Sequence, residues 1–154
     1  MIRATLCQIL RDGQLLLLRK NPGLFGEGKW NGLGGKLLSG ERPEEGVVRE
    51  VLEETGLKIQ AFTYHGVLDF YFGEKQEPDW VVHVFSSRDF TGEPNMISEE
   101  GILKWFTFEN IPYDQMWQDD GHWLPLLLEG EKFKGRFLFS EDGSELLDHE
   151  LTVT

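Results

Sequence analysis

The chain has 154 residues, a formal net charge of −12 at pH 7, and a composition that is 40% hydrophobic and 12% aromatic. Its length gives one domain, residues 1–154, with a sizeable core, and its composition excludes a disordered chain. The charge excludes a standing duplex nucleic-acid binder or a membrane-surface protein, because no basic field is there to attract phosphate backbones or anionic lipid.

A free nucleotide screened by metal ions remains an allowed ligand, so the partner expected is a small molecule, with no membrane and no stable nucleic-acid complex. Cys7 is the single cysteine, which rules out an internal disulfide. It lies in an apolar run and reads as core rather than nucleophile. The apolar run Leu15–Leu18 is too short for a signal or membrane segment. The expectation is a cytoplasmic protein, with a monomer favoured.

In chain order, Thr5–Leu10 and Gln14–Leu18 are apolar runs flanking Arg11-Asp12-Gly13, and Asp-Gly between such runs predicts a hairpin. Asn21–Gly32, with Phe25 and Trp30 in it, is too rich in glycine for a regular element. A helix should begin near Pro43, a favoured first helical residue, and stop at Gly56, suited to the left-handed position after a helix. Leu57–Phe72 and Trp80–Ser87 read as strands joined by the polar turn Gly73–Asp79. Gly101–Phe108 is a further strand. A second helix is capped by Asp119 or Asp120 and runs through Leu124–Leu128, with Pro125 tolerable only near its start. Phe133–Phe139 and Ser144–Thr152 flank Glu141-Asp142-Gly143 as a closing hairpin. These elements make an α/β protein, a mixed sheet with one helix on each side.

The stretch from Gly35 to Leu57 carries the chemistry. At 100° per residue Val47, Val48, Val51 and Leu52 are expected on one face, with Glu50, Glu53 and Glu54 opposite. Glu50 and Glu54 form an i,i+4 like-charge pair, which costs roughly 0.2–0.5 kcal/mol. One reading is a solvated acidic face. The other is a site for a hard divalent cation, which takes oxygen ligands and bridges carboxylates to phosphates.

Gly35, Glu41, Arg49, Glu50, Val51, Glu53, Glu54, Gly56 and Leu57 fill every specified position of the Nudix hydrolase signature. That resemblance implies an α/β/α sandwich, a mixed sheet between two main helices, that hydrolyses a nucleoside diphosphate linked to a further group. It implies Mg²⁺, with Mn²⁺ as a possible substitute. It also implies Glu50, Glu54 and Glu53 as ligands or base, and the Gly34 carbonyl as a further ligand, glycine letting the backbone approach the metal. Gly35, Glu41, Arg49 and Gly56 are then structural. Arg49 lies at i±4 from Glu45 and Glu53 and can orient carboxylates. Outside the signature, the resemblance implies a further ligand or base from Ser98-Glu99-Glu100-Gly101, with Glu100 preferred; a turn-facing acidic pair is the plainer reading of the same residues.

The rest of the chain resembles the MutT group of Nudix enzymes acting on oxidised purine nucleoside triphosphates. Gly28–Lys36, Met116–Asp120, His122–Leu128 and Lys132–Gly135 carry the likeness. It implies hydrolysis of substrates such as 8-oxo-dGTP and 2-oxo-dATP to monophosphate and pyrophosphate, which is nucleotide-pool sanitisation. Asn31, Trp117, Asp119 and Asp120 are the implied base-recognition residues. Phe70 and Phe72 would close the pocket, and Thr5 and Lys20 would line it. An indole offers a stacking face, Asn both a donor and acceptors, and adjacent aspartates an acceptor plus, where one stays protonated, a donor. Alone, each has a plainer reading: turn for Asn31, helix cap for the aspartates, core for the aromatics. The Asn21-Pro22-Gly23-Leu24 loop and Trp80 depart from the group's pattern. The alternatives are a Nudix pyrophosphatase for another nucleotide, such as an unmodified dNTP or ADP-ribose, and a non-catalytic nucleotide-sensing module.

Overall fold

In the computed structural model, residues 1–24 and 26–154 are described; Phe25, part of the glycine-rich loop, lies outside them. Ile2–Arg11 (β1) and Gln14–Lys20 (β2) form the expected hairpin, turning through Asp12 at φ 52° and Gly13 at φ 73°. Two residues of the glycine-rich segment do form a strand, Trp30–Asn31 (β3), because the end of β2 offers free backbone groups opposite Leu18 and Arg19. Leu33–Lys36 (β4) follows along β1.

The first helix, Pro43–Thr55 (α1), begins with proline and ends at Gly56, whose φ of 81° and N–H bond to the Leu52 carbonyl close the last turn. Lys58–Phe72 (β5), Trp80–Thr91 (β6) and Gly101–Thr107 (β7) match the three predicted strands, with β6 running four residues further than its apolar pattern. Asp120–Leu128 (α2), Phe133–Phe139 (β8) and Leu146–Val153 (β9) complete the chain.

Among the described residues all strands join one mixed sheet in the order β3-β2-β1-β6-β5-β8-β9, with β4 also on β1 and β7 on β2. The β1–β6 and β5–β8 pairs are parallel. Strand alternation sorts the core onto two faces. Leu16 and Leu18 pack with Cys7, Ile9 and the α1 residues Val47 and Val51, whereas Leu15 and Leu17 pack with Phe137 and the α2 residues Trp123, Leu124 and Leu127. The result is the α/β/α sandwich. Cys7 is wholly buried, and burial pushes its thiol well up, as befits a core residue. No helix among the described residues is long and apolar enough to cross a membrane.

Two expectations about the helices need correction. Leu52 is 48% exposed while Glu54 is only 5% exposed. Glu54 follows Val47 by seven residues and Val51 by three, so helix geometry sets it on the buried stripe, and Leu52 turns away from it. In α2, Pro125 lies in the helix interior rather than at the start.

Candidate active site

Glu54 is the pivot. Its Oε1 accepts the Gly34 N–H at 2.6 Å, and its Oε2 lies 3.6 Å from Lys20 Nζ. Burial pushes its carboxyl up to about 7, with Lys20 pulling the other way. Gly34 has φ 150°, and a Cβ there would overlap the Thr5 carbonyl oxygen. Close passage of β4 along β1 therefore requires glycine, a tighter constraint than room for an ion.

Arg49 organises the remaining carboxylates of the signature. Its Nε and Nη2 donate to Glu41 at 2.8 and 2.9 Å, and its Nη1 donates to Glu50 at 2.8 Å and to Glu53 at 3.2 Å. Nη2 also reaches the Lys36 carbonyl at 3.2 Å, tying α1 to the end of β4. The guanidinium holds Glu41 down to about 2. Burial moves Glu50 upward against the pull of Arg49. Glu45 is not an Arg49 partner: it closes a capping box with Arg42, whose Nε lies at 3.2 Å, because both face the first turn of α1. At Gly35, a Cβ would stand 2.5 Å from Glu50 Oε2, so a larger residue would displace that carboxylate.

Glu100 arrives from the loop before β7. Lys20 Nζ is 3.8 Å from its Oε2, so this ammonium bridges Glu54 and Glu100. Asn21 holds the loop in place: its N–H donates to the Glu100 carbonyl at 3.1 Å and its Nδ2 to the Glu99 carbonyl at 2.9 Å. Sequence reasoning gave Asn21 no role. The two segments are far apart in the chain, and only the β2–β7 pairing joins them.

A cavity of about 330 Å³ opens beside this cluster, large enough for a small ligand. Its walls include every residue expected to recognise the base, close the pocket or line it: Thr5, Lys20, Asn31, Phe70, Phe72, Trp117, Asp119 and Asp120, together with Gly34 and Glu100. Trp117 meets Phe72 and Phe139 edge-on at 6.1 and 5.8 Å, and the Lys29 ammonium stands 5.3 Å from its ring centre. Phe70 stacks on Phe137 at 5.7 Å, so the phenylalanines are at once core and cavity wall. Trp80 and, from the Asn21–Leu24 loop, Leu24 also line it; that loop and Trp80 are the two features that depart from the MutT group's pattern. Thr5 Oγ1 is buried without a hydrogen-bond partner among the described residues.

Asp119 and Asp120, neighbours in the chain, are only 4% and 7% exposed. Burial raises Asp119 above its ordinary value and raises Asp120, burdened further by its neighbour's charge, well above its own. Two adjacent carboxylates in an apolar wall cannot both ionise cheaply. Asp119 holds the expected N-cap position of α2 but makes no side-chain cap bond: its Oδ2 accepts the Trp123 indole N–H at 2.8 Å instead. Trp123, one helical turn on, is thus a site residue that the sequence reading quoted only as part of a motif. The i,i+4 spacing was the signal available.

Among the described residues no three carboxylate, imidazole or thiol groups are already gathered as a metal cage. Lys20 and Arg49 occupy that role for the acidic cluster. The donor set nevertheless suits a hard divalent cation: carboxylate oxygens from α1 and from the loop before β7 converge on a cationic group beside an open cavity, and Mg²⁺ completes its shell with water and phosphate rather than with protein alone.

The signature cluster and the sandwich around it define a Nudix hydrolase, and the chain matches the NUDIX domain over residues 1–127, which places it in that family. The oxidized purine nucleoside triphosphate hydrolase of Danio rerio is 40% identical over 148 residues, covering 96% of this chain and 92% of the fish protein. Its Mus musculus counterpart is 41% identical with the same coverage. The crystal structure of a MutT protein from Bacillus halodurans superposes with a TM-score of 0.87 at 28% identity, over 98% of this chain and 97% of that one.

Proposed function

We propose that the chain hydrolyses oxidised purine nucleoside triphosphates such as 8-oxo-dGTP and 2-oxo-dATP to monophosphate and pyrophosphate. The observation that carries this reading is the buried Asp119–Asp120 pair in the wall of an aromatic cavity that also admits Glu100 and Lys20. One carboxylate accepts from ring N–H or amine groups while the neighbouring acid donates to a carbonyl oxygen, so altered purine edges find complementary partners. Asn31 adds an amide at the same wall, and Trp117, Phe70 and Phe72 supply apolar faces for the ring. The names of the fish and mouse relatives support the same substrate class.

Glu50, Glu54 and Glu100, with Glu53 and the Gly34 carbonyl, are the groups that would hold Mg²⁺ or Mn²⁺. When bound, the cation supplies neutralisation of phosphate charge and Lewis-acid activation of water. Arg49 fixes Glu50 and Glu53 in orientation, and Glu41 fixes Arg49. Glu53 and Glu100 would take the proton from water, a role that their 57% and 46% exposure supports. The chain acts in this reading as one domain, a cytoplasmic monomer working on free nucleotide, which its −12 charge supports. Product analysis tests it: incubation of 8-oxo-dGTP with enzyme and Mg²⁺ should yield 8-oxo-dGMP and pyrophosphate, with EDTA abolishing both. Release of inorganic phosphate alone, or turnover indifferent to EDTA, would reject it.

A further inference from the structure

The two cations beside the acidic cluster are held in different ways. Arg49 makes short, directional hydrogen bonds at 2.8–2.9 Å to Glu41 and Glu50. Lys20 makes none of that length: its ammonium stands 3.6 Å from Glu54 and 3.8 Å from Glu100, held by charge rather than by aligned hydrogen bonds. The Lys20 backbone is fixed at the end of β2, paired with Gly101 and bonded to Gly28 and Lys29. Its side chain alone is free to change partners, and it already lies on the cavity wall.

We propose that Lys20 is an exchangeable counter-ion: it neutralises Glu54 and Glu100 when no metal is bound, yields them to the incoming divalent cation, and turns into the cavity to meet an anionic oxygen of the nucleotide. The proposal rests on the metal-site reading above and adds to it a moving part. Glu54 is buried, and an ionised buried carboxylate without a partner is strongly disfavoured. Its one charged partner within ion-pair distance among the described residues is Lys20. A dication held by these oxygens would bond to them directly. An ammonium and a dication cannot share the same two carboxylates at such range without strong repulsion, so one cation leaves as the other enters. Arg49, bound to Glu41 outside that exchange, stays. Metal binding would thereby supply the pocket with a positive charge that the metal-free protein keeps occupied, coupling metal to nucleotide without movement of the backbone.

The wild-type protein allows a direct test by amine acylation with an N-hydroxysuccinimide ester, read residue by residue by mass spectrometry, with exposed Lys58 as the internal reference. The reactivity of Lys20 relative to Lys58 should rise about tenfold when EDTA is replaced by saturating Mg²⁺, corresponding to ~1.4 kcal/mol. It should fall again when a non-hydrolysable purine nucleoside triphosphate analogue is added. In Glu54→Gln, Lys20 should be reactive already in EDTA. Mn²⁺ binding, followed in parallel by electron paramagnetic resonance, separates the possible failures. Mn²⁺ bound to the wild type and displaced by Mg²⁺, with no change in Lys20 reactivity, overturns the exchange alone. Absence of Mn²⁺ binding overturns the metal-site reading along with it.

Discussion

Replacing Glu54 by glutamine should stabilise the metal-free protein while removing its activity. The carboxyl is raised from 4.5 to about 7 by burial. At about 1.4 kcal/mol per tenfold change in proton affinity, this is worth on the order of 3 kcal/mol. The sign follows from the direction of the shift. Below pH 4.5 the acid is protonated in both folded and unfolded chains and costs nothing. As pH rises towards 7, the unfolded chain loses its proton first, so stability falls, and above pH 7 the full penalty is present. Glutamine keeps an acceptor for the Gly34 N–H but carries no charge. In EDTA, Glu54→Gln should therefore match wild type near pH 4.5 and exceed it by ~3 kcal/mol at pH 8, or roughly 6–12 °C in Tm for a chain of this size. Thermal melts in EDTA from pH 4.5 to 8.5, with Mg²⁺-dependent turnover measured on the same preparations, check both halves. A variant less stable than wild type at pH 8, or a difference independent of pH, would refute the claim that Glu54 is held at an energetic cost for function.

Three further outcomes are expected. Asp119→Asn and Asp120→Asn should each change discrimination between oxidised guanine and adenine triphosphates by about 1–3 kcal/mol, the range for a paired base contact, while leaving the Mg²⁺ requirement as it was; an unchanged substrate ranking in both would dismiss the dyad as the reader of the base. Trp123→Phe removes the indole donor to Asp119 and should raise that carboxyl further, moving any pH-dependent change in base preference to higher pH, with a stability loss of about 1.5–3 kcal/mol. A pH profile identical to wild type would show that the 2.8 Å bond does not tune the pair. Gly34→Ala forces a Cβ against the Thr5 carbonyl at φ 150° and should cost about 2–4 kcal/mol in urea unfolding; a neutral substitution would show that β4 can move away from β1.

The hairpins, both helices and the two-sided sheet were legible because strand alternation, Asp-Gly, Pro43 and Gly56 act locally. The acidic helix was legible as a pattern but misread as an arrangement. Grouping Glu54 with Glu50 and Glu53 on one helix face puts it outside, whereas its spacing of seven from Val47 and three from Val51 puts it inside. Asp119 does take the cap position that its residue type favours, but its carboxylate is claimed by the indole one turn along the same helix, an i,i+4 pair that cap propensity alone ignores. Lys20 bridging Glu54 and Glu100, and Asn21 holding the loop before β7, had no spacing to betray them. Both follow from which strand ends the sheet brings together, a property of long-range pairing rather than of any window of sequence.

The central claim is best tested by kcat/KM with Mg²⁺ for 8-oxo-dGTP, 2-oxo-dATP, dGTP and ADP-ribose measured side by side. The account predicts that both oxidised purine triphosphates are preferred over dGTP and ADP-ribose, and that Asp119→Asn and Asp120→Asn erode that preference. Equal or better rates on dGTP or ADP-ribose would leave the metal-site chemistry standing and contradict the substrate.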